Sequence, residues 1–200
     1  MKAIMLAAGT GSRLAPKGKN LPPKCLLRFD GKSLLCRHIE ILKSCGVEKL
    51  ILVVGYRANE INAEIMKINE ENFVETIMNP NYYDGSIISL SCAKSAMQSG
   101  SNILFMDADV LYHPDLIKKL VSSSKDCHIL YDRNYVPGDD PVLLCLKNKN
   151  IVDFQKRANI ECDDIGEWPG FVKWSPSAAM EISKIIDHRI SHGLTTQPCE

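Results

Sequence analysis

MKAIMLAAGTGSR, residues 1–13, opens the chain with an apolar run that leads directly into a pair of glycines. Residues 3–7 have the length and composition of a buried β-strand. Gly9 and Gly11 follow, and a basic segment containing prolines then extends to Lys24 without helical periodicity. A strand that leads into such a long loop indicates an α/β domain in which the loop carries function.

Apolar runs of strand length alternate with segments of helical period along the rest of the chain. Further strands are predicted at residues 49–54, 73–78, 102–106, 127–131 and 171–174, with a hairpin at 142–155 that turns near 148–150. Helices are predicted from about Ser33, over 59–68 and 86–97, from Pro114 and from about Ser177. This alternation predicts a Rossmann-like, three-layer α/β/α domain with a mixed, mainly parallel sheet. Because no repeat or linker interrupts it, residues 1–200 are expected to form one domain.

Composition limits the classes of partner. The 200 residues carry 24 basic and 24 acidic side chains, so nothing in the overall charge favours nucleic acid or an anionic membrane surface. No stretch approaches the length of about 18 apolar residues that a membrane span needs. We therefore expect a soluble, cytoplasmic protein whose partner is a small molecule.

The cysteines and histidines show no metal-ligand spacing. The eight cysteines are scattered without a C-x-x-C pair, which indicates reduced thiols rather than a zinc site or a disulfide framework. The five histidines have no accompanying nucleophile pattern, so they are assigned surface or helix-end roles.

The glycine loop is the first feature that indicates chemistry. Without Cβ atoms, Gly9 and Gly11 allow backbone N–H groups to approach phosphate oxygens, and Arg13 adds a forked cation. A dinucleotide-binding fingerprint or an ordinary tight turn is the alternative. Leu14 stands where dinucleotide folds have their third glycine, so the pattern favours a triphosphate site.

Lys24 is the second feature. It follows Pro22 and Pro23, which stiffen the chain and present the lysine at the same end of the sheet as the glycine loop. Lys24 could bridge two phosphate groups, although most lysines are solvated surface residues.

Asp107 and Asp109 are the third feature, because they directly follow a predicted buried strand at the sheet edge where α/β proteins bind ligands. Mg²⁺ is bound through a few carboxylate oxygens together with substrate phosphates. The alternative is a turn or capping role. The combination of all three features favours a magnesium-nucleotide site.

These residues together resemble the family of nucleoside-triphosphate transferases, which includes sugar-phosphate nucleotidylyltransferases and phosphocholine cytidylyltransferases. The resemblance rests on residues 6–13, on Pro23 with Lys24, and on Asp109. The second half is most similar to the branch that acts on phosphocholine and 2-aminoethylphosphonate, through residues 132–133, 137–142, 166–167 and 171–176.

The resemblance implies a role for each matching position. The loop over residues 8–24 would hold the triphosphate through Gly9, Thr10, Gly11, Ser12 and Arg13. Lys24 would lie between the nucleotide α-phosphate and the acceptor, and Asp109 would bind Mg²⁺. The nucleobase pocket, for cytosine in this branch, would be formed by Leu6, Ala7, Ala8, Ser86 and Ser89, with Asp107 also on the nucleotide side. Glu200 is a candidate second metal ligand, and the sequence leaves open whether the natural chain continues beyond it or is fused to another domain.

The activity implied is transfer of CMP from CTP to 2-aminoethylphosphonate or phosphocholine, with release of pyrophosphate. The acceptor would bind in the region of about residues 131–175, where Asp132, Asp139 and Asp140 favour a primary amine and Trp168 and Trp174 could hold a cation on their faces. The alternatives are a sugar-1-phosphate or molybdopterin-type transferase, and a nucleotide-binding regulatory module without turnover. A homodimer is compatible with the sequence, which does not fix the oligomeric state.

Overall fold

The structure is a computed structural model that describes residues 1–11, 21–136, 138, 141–156 and 161–195. Its strands are β1 (Lys2–Ala7), β2 (Arg28–Phe29), β3 (Lys32–Ser33), β4 (Lys49–Val54), β5 (Val74–Met78), β6 (Ile103–Asp107), β7 (His128–Ile129), β8 (Leu143–Lys147), β9 (Asn150–Gln155), β10 (Asp164–Glu167) and β11 (Phe171–Trp174). Its helices are α1 (Leu34–Ser44), α2 (Ala58–Lys67), α3 (Ser86–Cys92), α4 (Lys94–Met97), α5 (Pro114–Ser122) and α6 (Pro176–Ser191).

The main sheet has six strands in the order β5-β4-β1-β6-β11-β7. The first four strands of this order are parallel to one another. Strands β11 and β7 extend the sheet in the antiparallel sense. The predicted mixed, mainly parallel sheet is confirmed.

Two apolar clusters cover the two faces of this sheet. One contains buried residues of α1, α2 and α5, and the other contains buried residues of α3, α4 and α6. Central strand residues divide between them by the alternation of a β-strand, so that Met5 belongs to the first cluster and Ile4 to the second. This arrangement confirms the three-layer α/β/α fold.

The helix predicted over residues 86–97 is two helices, α3 and α4, which meet at Ala93. The hydroxyl of Ser91 and the thiol of Cys92 both donate to the Ile88 carbonyl. Side chains that bond to a carbonyl of their own helix compete with the backbone ladder and bend it. By contrast, α1 begins where predicted: Ser33 is its N-cap, and the Ser33 side chain accepts a hydrogen bond from the Cys36 amide.

A second, three-stranded sheet in the order β10-β8-β9 packs beside the main one. The predicted hairpin forms its strands β8 and β9, and the turn residues Asn148 and Lys149 both have positive φ, as tight hairpin turns require. Strand β10 and the two-residue strands β2 and β3 were not predicted from the sequence. Backbone bonds between Asp132 and Glu167 join this small sheet to the segment that follows β7.

Within the described ranges, no helix is long and apolar enough to cross a membrane. The cysteines at described positions are all free thiols. Cys25 and Cys145 are buried, whereas Cys127 is exposed.

Candidate active site

The carboxyl ends of β1 and β6 lie side by side, because Leu6 pairs with Asp107 in the parallel register. The loops that follow these two strands therefore leave the sheet at the same edge. They enclose a cleft of about 410 Å³. Its lining consists of Leu6, Ala7, Gly9, Thr10, Gly11, Lys24, Cys25, Ser86, Asp107, Ala108 and Asp109. The sequence had placed all of these except Cys25 and Ala108 in the site.

Lys24 and Asp109 form an ion pair in this cleft, with 2.6 Å between Nζ and Oδ2. Lys24 begins a short 3-10 turn that ends at Leu26, and the neighbouring Cys25 is buried, which anchors the turn against the core. The side chains of Lys24 and Asp109 are 26% and 37% exposed, so both are open to a ligand. The two charged groups predicted from separate motifs thus meet at one point.

The two glycines of the loop differ in what a side chain there would meet. Gly11 has a φ of +67°, and a Cβ there would lie 3.2 Å from Cγ of Lys24. On Gly9, a Cβ would meet no described residue within 4 Å, and Gly9 lines the cleft. A ligand oxygen can therefore approach the backbone at Gly9 from this side without meeting a described side chain. Ser12 and Arg13 lie outside the described residues, so their predicted roles stay predictions.

Asp107 is placed by a close approach of the chain that the sequence did not indicate. Its amide donates to the Gly170 carbonyl over 3.0 Å. A Cβ on Gly170, whose φ is +91°, would lie 2.6 Å from Oδ2 of Asp107. Glycine is therefore the residue that suits position 170. In the sequence, this turn could have been recognised from Pro169-Gly170 directly before the predicted strand at 171–174.

His38 is not on the surface or at a helix end, and that prediction is wrong. The residue is 1% exposed within α1. Its Nε2 lies 3.2 Å from the Ala108 carbonyl oxygen, and its Nδ1 lies 3.2 Å from the Tyr112 hydroxyl. Burial lowers the pKa of His38 to about 4, so the ring is neutral at pH 7.

The predicted nucleobase residues divide between the cleft wall and the core. Leu6, Ala7 and Ser86 line the cleft. Ala8 is buried, and its carbonyl accepts from the Tyr56 amide. Ser89 does not line the cleft; it is 5% exposed and its hydroxyl accepts a hydrogen bond from the side-chain amide of Asn79. Ser89 therefore joins the middle of α3 to Asn79, the residue after β5, rather than facing the ligand space.

A second cavity of about 960 Å³ adjoins the cleft and shares Leu6, Ser86 and Asp107 with it. Four aromatic rings line it: Phe105, Phe154, Trp168 and Trp174. Phe105 stacks on Trp174 with 5.3 Å between ring centroids, and Phe154 meets Trp168 edge-on at 5.4 Å. The cavity lies between the main sheet, α6 and the small sheet.

The charged groups of this cavity differ in part from those predicted. Asp132 lines it, and its Oδ1 accepts from the Asn134 amide at 2.9 Å. Asp139 and Asp140 lie outside the described residues. Three charged residues that the sequence analysis had not selected, Lys156, Glu167 and Arg189, also line it. Of these three residues, only Glu167 was marked in the sequence, because it belongs to a segment similar to the phosphocholine branch.

The chain was compared with models of known protein families. The MobA-like NTP transferase domain model matches residues 3–153, most of the chain. The chain belongs to this family. The prediction of a nucleotidyltransferase enzyme is confirmed, and the dinucleotide-binding alternative is set aside.

Relatives of this NTP transferase domain include cytidylyltransferases. The chain is 36% identical over 201 residues to a choline-phosphate cytidylyltransferase of Streptococcus pneumoniae, covering 96% of this chain and 78% of the relative. It is 28% identical over 196 residues to a CTP:phosphoglutamine cytidylyltransferase of Campylobacter jejuni, covering 91% of this chain and 76% of the relative. The predicted resemblance to the phosphocholine branch is thus confirmed.

Solved structures agree on the fold. That of CTP:phosphocholine cytidylyltransferase from Streptococcus pneumoniae superposes with a TM-score of 0.67 at 25% identity, over 98% of this chain and 80% of that one. An inositol-1-phosphate CTP transferase from T. maritima superposes with a TM-score of 0.74 at 21% identity, over 97% and 79%. The second likeness bears on the fold alone.

The NTP transferase site has donors that suit a hard cation. Among the residues the structure describes, no three His, Cys, Asp or Glu side chains form a metal-binding group. Mg²⁺ commonly takes only one or two carboxylates and completes its shell with water and substrate phosphates. Asp109, which is partly exposed in the cleft, and Asp107 at the end of β6 fit that requirement. Glu200, the candidate second ligand, lies outside the described ranges.

Proposed function

We propose that this chain is a Mg²⁺-dependent cytidylyltransferase that transfers CMP from CTP to a small phosphate or phosphonate acceptor, such as phosphocholine or 2-aminoethylphosphonate. Pyrophosphate is the second product. Two relatives named as cytidylyltransferases that act on phosphorylated acceptors support the choice of nucleotide and acceptor class.

One observation carries the proposal. The cleft that holds the glycine loop and the Lys24–Asp109 pair adjoins the aromatic cavity, and Leu6, Ser86 and Asp107 line both. A transferase must hold two substrates side by side with their reacting atoms in contact. Here the nucleotide would occupy the cleft, the acceptor would occupy the aromatic cavity, and the α-phosphate would lie where the two meet.

The reaction is a single in-line displacement. An acceptor oxygen forms a bond to the α-phosphorus of CTP, the bond from that phosphorus to the bridging oxygen breaks, and pyrophosphate leaves with the electron pair. The attacking oxygen is already ionised, so no general base is needed. The obstacle is the repulsion between two anions, and catalysis therefore depends on positioning and on charge neutralisation.

The chain's own residues supply most of that neutralisation. Lys24 exchanges its contact with Asp109 for the phosphate oxygens that lie between nucleotide and acceptor. Backbone N–H groups from Gly9 to Gly11 hold the triphosphate, and Arg13 adds a second cation. Mg²⁺ bound at Asp109 would supply further positive charge to the phosphates.

The acceptor's other end would bind in the aromatic cavity. A quaternary ammonium group would favour the faces of Trp168 and Trp174, because it cannot donate N–H bonds. A primary amine would favour the carboxylates of Asp132 and Glu167. The cavity contains both kinds of group, so phosphocholine and aminophosphonates are both compatible with it. A sugar 1-phosphate is the second candidate, since a volume of about 960 Å³ also admits a hexose.

The test is release of pyrophosphate by the purified chain with Mg²⁺. Each of CTP, UTP, GTP and ATP is paired with phosphocholine, 2-aminoethylphosphonate, phosphoethanolamine and hexose 1-phosphates. We expect release with CTP and an amine-bearing acceptor. Release only with a sugar phosphate would replace the proposed acceptor, and nucleotide binding without release from any pair would favour a regulatory module without turnover.

A further inference from the structure

His38 connects helix α1 to the loop that follows β6 and carries Asp109. It is fully buried, and its two ring nitrogens contact that loop at two points. Nε2 lies 3.2 Å from the carbonyl oxygen of Ala108, the residue between Asp107 and Asp109, and Nδ1 lies 3.2 Å from the hydroxyl of Tyr112. No other histidine among the described residues contacts this loop in the same way.

The chemistry of the partners fixes the tautomer. A carbonyl oxygen can only accept a hydrogen bond, so Nε2 must carry the proton and donate it to Ala108. A neutral imidazole then has an unprotonated Nδ1, which accepts from the Tyr112 hydroxyl. The Tyr112 ring is stacked on His38 with 5.2 Å between centroids, and it meets Phe171 of β11 edge-on at 4.7 Å. The Tyr112 ring is therefore packed between His38 and Phe171.

We propose that His38 is a positioning residue for Asp109, because its Nε2–H fixes the Ala108 carbonyl and with it the orientation of the next residue. This inference rests on the proposed function. Ala108 is 4% exposed, so water cannot easily replace a lost donor at its carbonyl. Without that hydrogen bond the loop would turn its carbonyl toward another donor, and the Asp109 carboxylate would leave its place opposite Lys24.

Three variants separate positioning from packing. His38→Leu replaces the imidazole by an apolar side chain of similar size and so removes the N–H donor. His38→Gln keeps an N–H at about the distance of Nε2 and should restore the hydrogen bond to Ala108. Leu42→Ala is the matched control, because Leu42 is fully buried on the same helix, in the core cluster that also contains Ala108.

Pyrophosphate release as a function of Mg²⁺ concentration is the first measurement, at a temperature where all variants are folded. We expect His38→Leu to lose about 10- to 100-fold in kcat or in apparent Mg²⁺ affinity, as residues that orient a metal ligand do. His38→Gln should recover most of that loss, and Leu42→Ala should melt at a lower temperature with both parameters unchanged. Equal defects in the Gln and Leu variants, or kinetics of His38→Leu equal to those of Leu42→Ala, would overturn the proposal.

Two further measurements are independent of turnover. Binding of Mn²⁺ in the presence of CTP, followed by electron paramagnetic resonance, should weaken in His38→Leu and recover in His38→Gln. If no substrate pair released pyrophosphate, the proposed function would fail, and the Mn²⁺ comparison would still decide the role of His38. The ¹⁵N shifts of the wild-type histidines should show an Nε2–H tautomer for His38. An Nδ1–H tautomer would overturn the proposal even if His38→Leu did not fold.

Discussion

Lys24 shows what a single side chain gains from its position. Most lysines are solvated surface groups, but the Lys24 ammonium lies 2.6 Å from a carboxylate oxygen inside the cleft. Lys24→Ala should lower kcat by about two to three orders of magnitude, since it removes a charge that stabilises the transition state. Steady-state pyrophosphate release measures this. Lys32→Ala is the control, because Lys32 pairs with Glu40 on the surface, and equal rates for both variants would remove Lys24 from the mechanism.

Asp109 pairs with Lys24 and lines the cleft together with Gly9, Thr10 and Gly11. Asp109→Asn keeps the shape of the side chain but removes the charge that would bind Mg²⁺. We expect most of the activity to be lost, together with the response to added Mg²⁺, in a titration of rate against Mg²⁺ concentration. Asp187→Asn, which changes a carboxylate paired with Lys94 on the surface, should behave as wild type. A normal Mg²⁺ response in Asp109→Asn would contradict the assignment.

At the scale of a structural element, the glycine loop can be tested by comparing Gly11 with a glycine outside the site. Gly11 and Gly100 both have positive φ, +67° and +75°. Alanine at either position should cost about 1–2 kcal/mol of backbone strain. Only at Gly11 would the new Cβ also press on the stem of Lys24, at 3.2 Å, whereas nothing lies within 4 Å at Gly100. We therefore expect similar losses of melting temperature but a fall in kcat for Gly11→Ala alone.

The order of secondary-structure elements could largely be predicted, because each strand and helix carries its own periodicity and caps. Ser33 before Leu34 and Leu35 was sufficient to place the start of α1. The break at Ala93 was missed, because it depends on the hydrogen bonds of Ser91 and Cys92 to a carbonyl of their own helix. Strand β10 was missed because its four residues form a strand through their pairing with β8 and, at Glu167, with Asp132, which are distant in the chain.

The cleft residues that follow β1 and β6 could be predicted from the sequence. The contacts that support them and the lining of the second cavity could not. The residues after β1 and β6 belong together because adjacent parallel strands end at one edge of a sheet. His38 and Gly170 act through contacts between residues distant in the chain, with Ala108 and Asp107 respectively. The residues around His38 carry no pattern that indicates its contact, and Pro169-Gly170 indicates a turn without indicating its partner Asp107. The same holds for Phe105 and Phe154, which line the second cavity from different sheets.

At the scale of the whole molecule, the proposed function assigns the two substrates to different cavities. Both tryptophans of the chain line the larger cavity, and neither lines the cleft. Adding the acceptor to the CTP complex should therefore change the intrinsic tryptophan fluorescence, whereas CTP alone should change it little. Trp168→Phe should reduce the signal and weaken acceptor binding. A full signal with CTP alone would place the nucleotide in the aromatic cavity and reverse the proposed assignment.

The central claim is that one CTP and one acceptor are joined where the two cavities meet. The most direct test is ³¹P NMR of a single reaction that contains the chain, Mg²⁺, CTP and the acceptor that gives the highest rate of pyrophosphate release. We expect the acceptor signal to be replaced by two coupled signals of a new phosphorus anhydride, with one pyrophosphate formed for each acceptor consumed. Release of pyrophosphate and free CMP, with the acceptor unchanged, would contradict it.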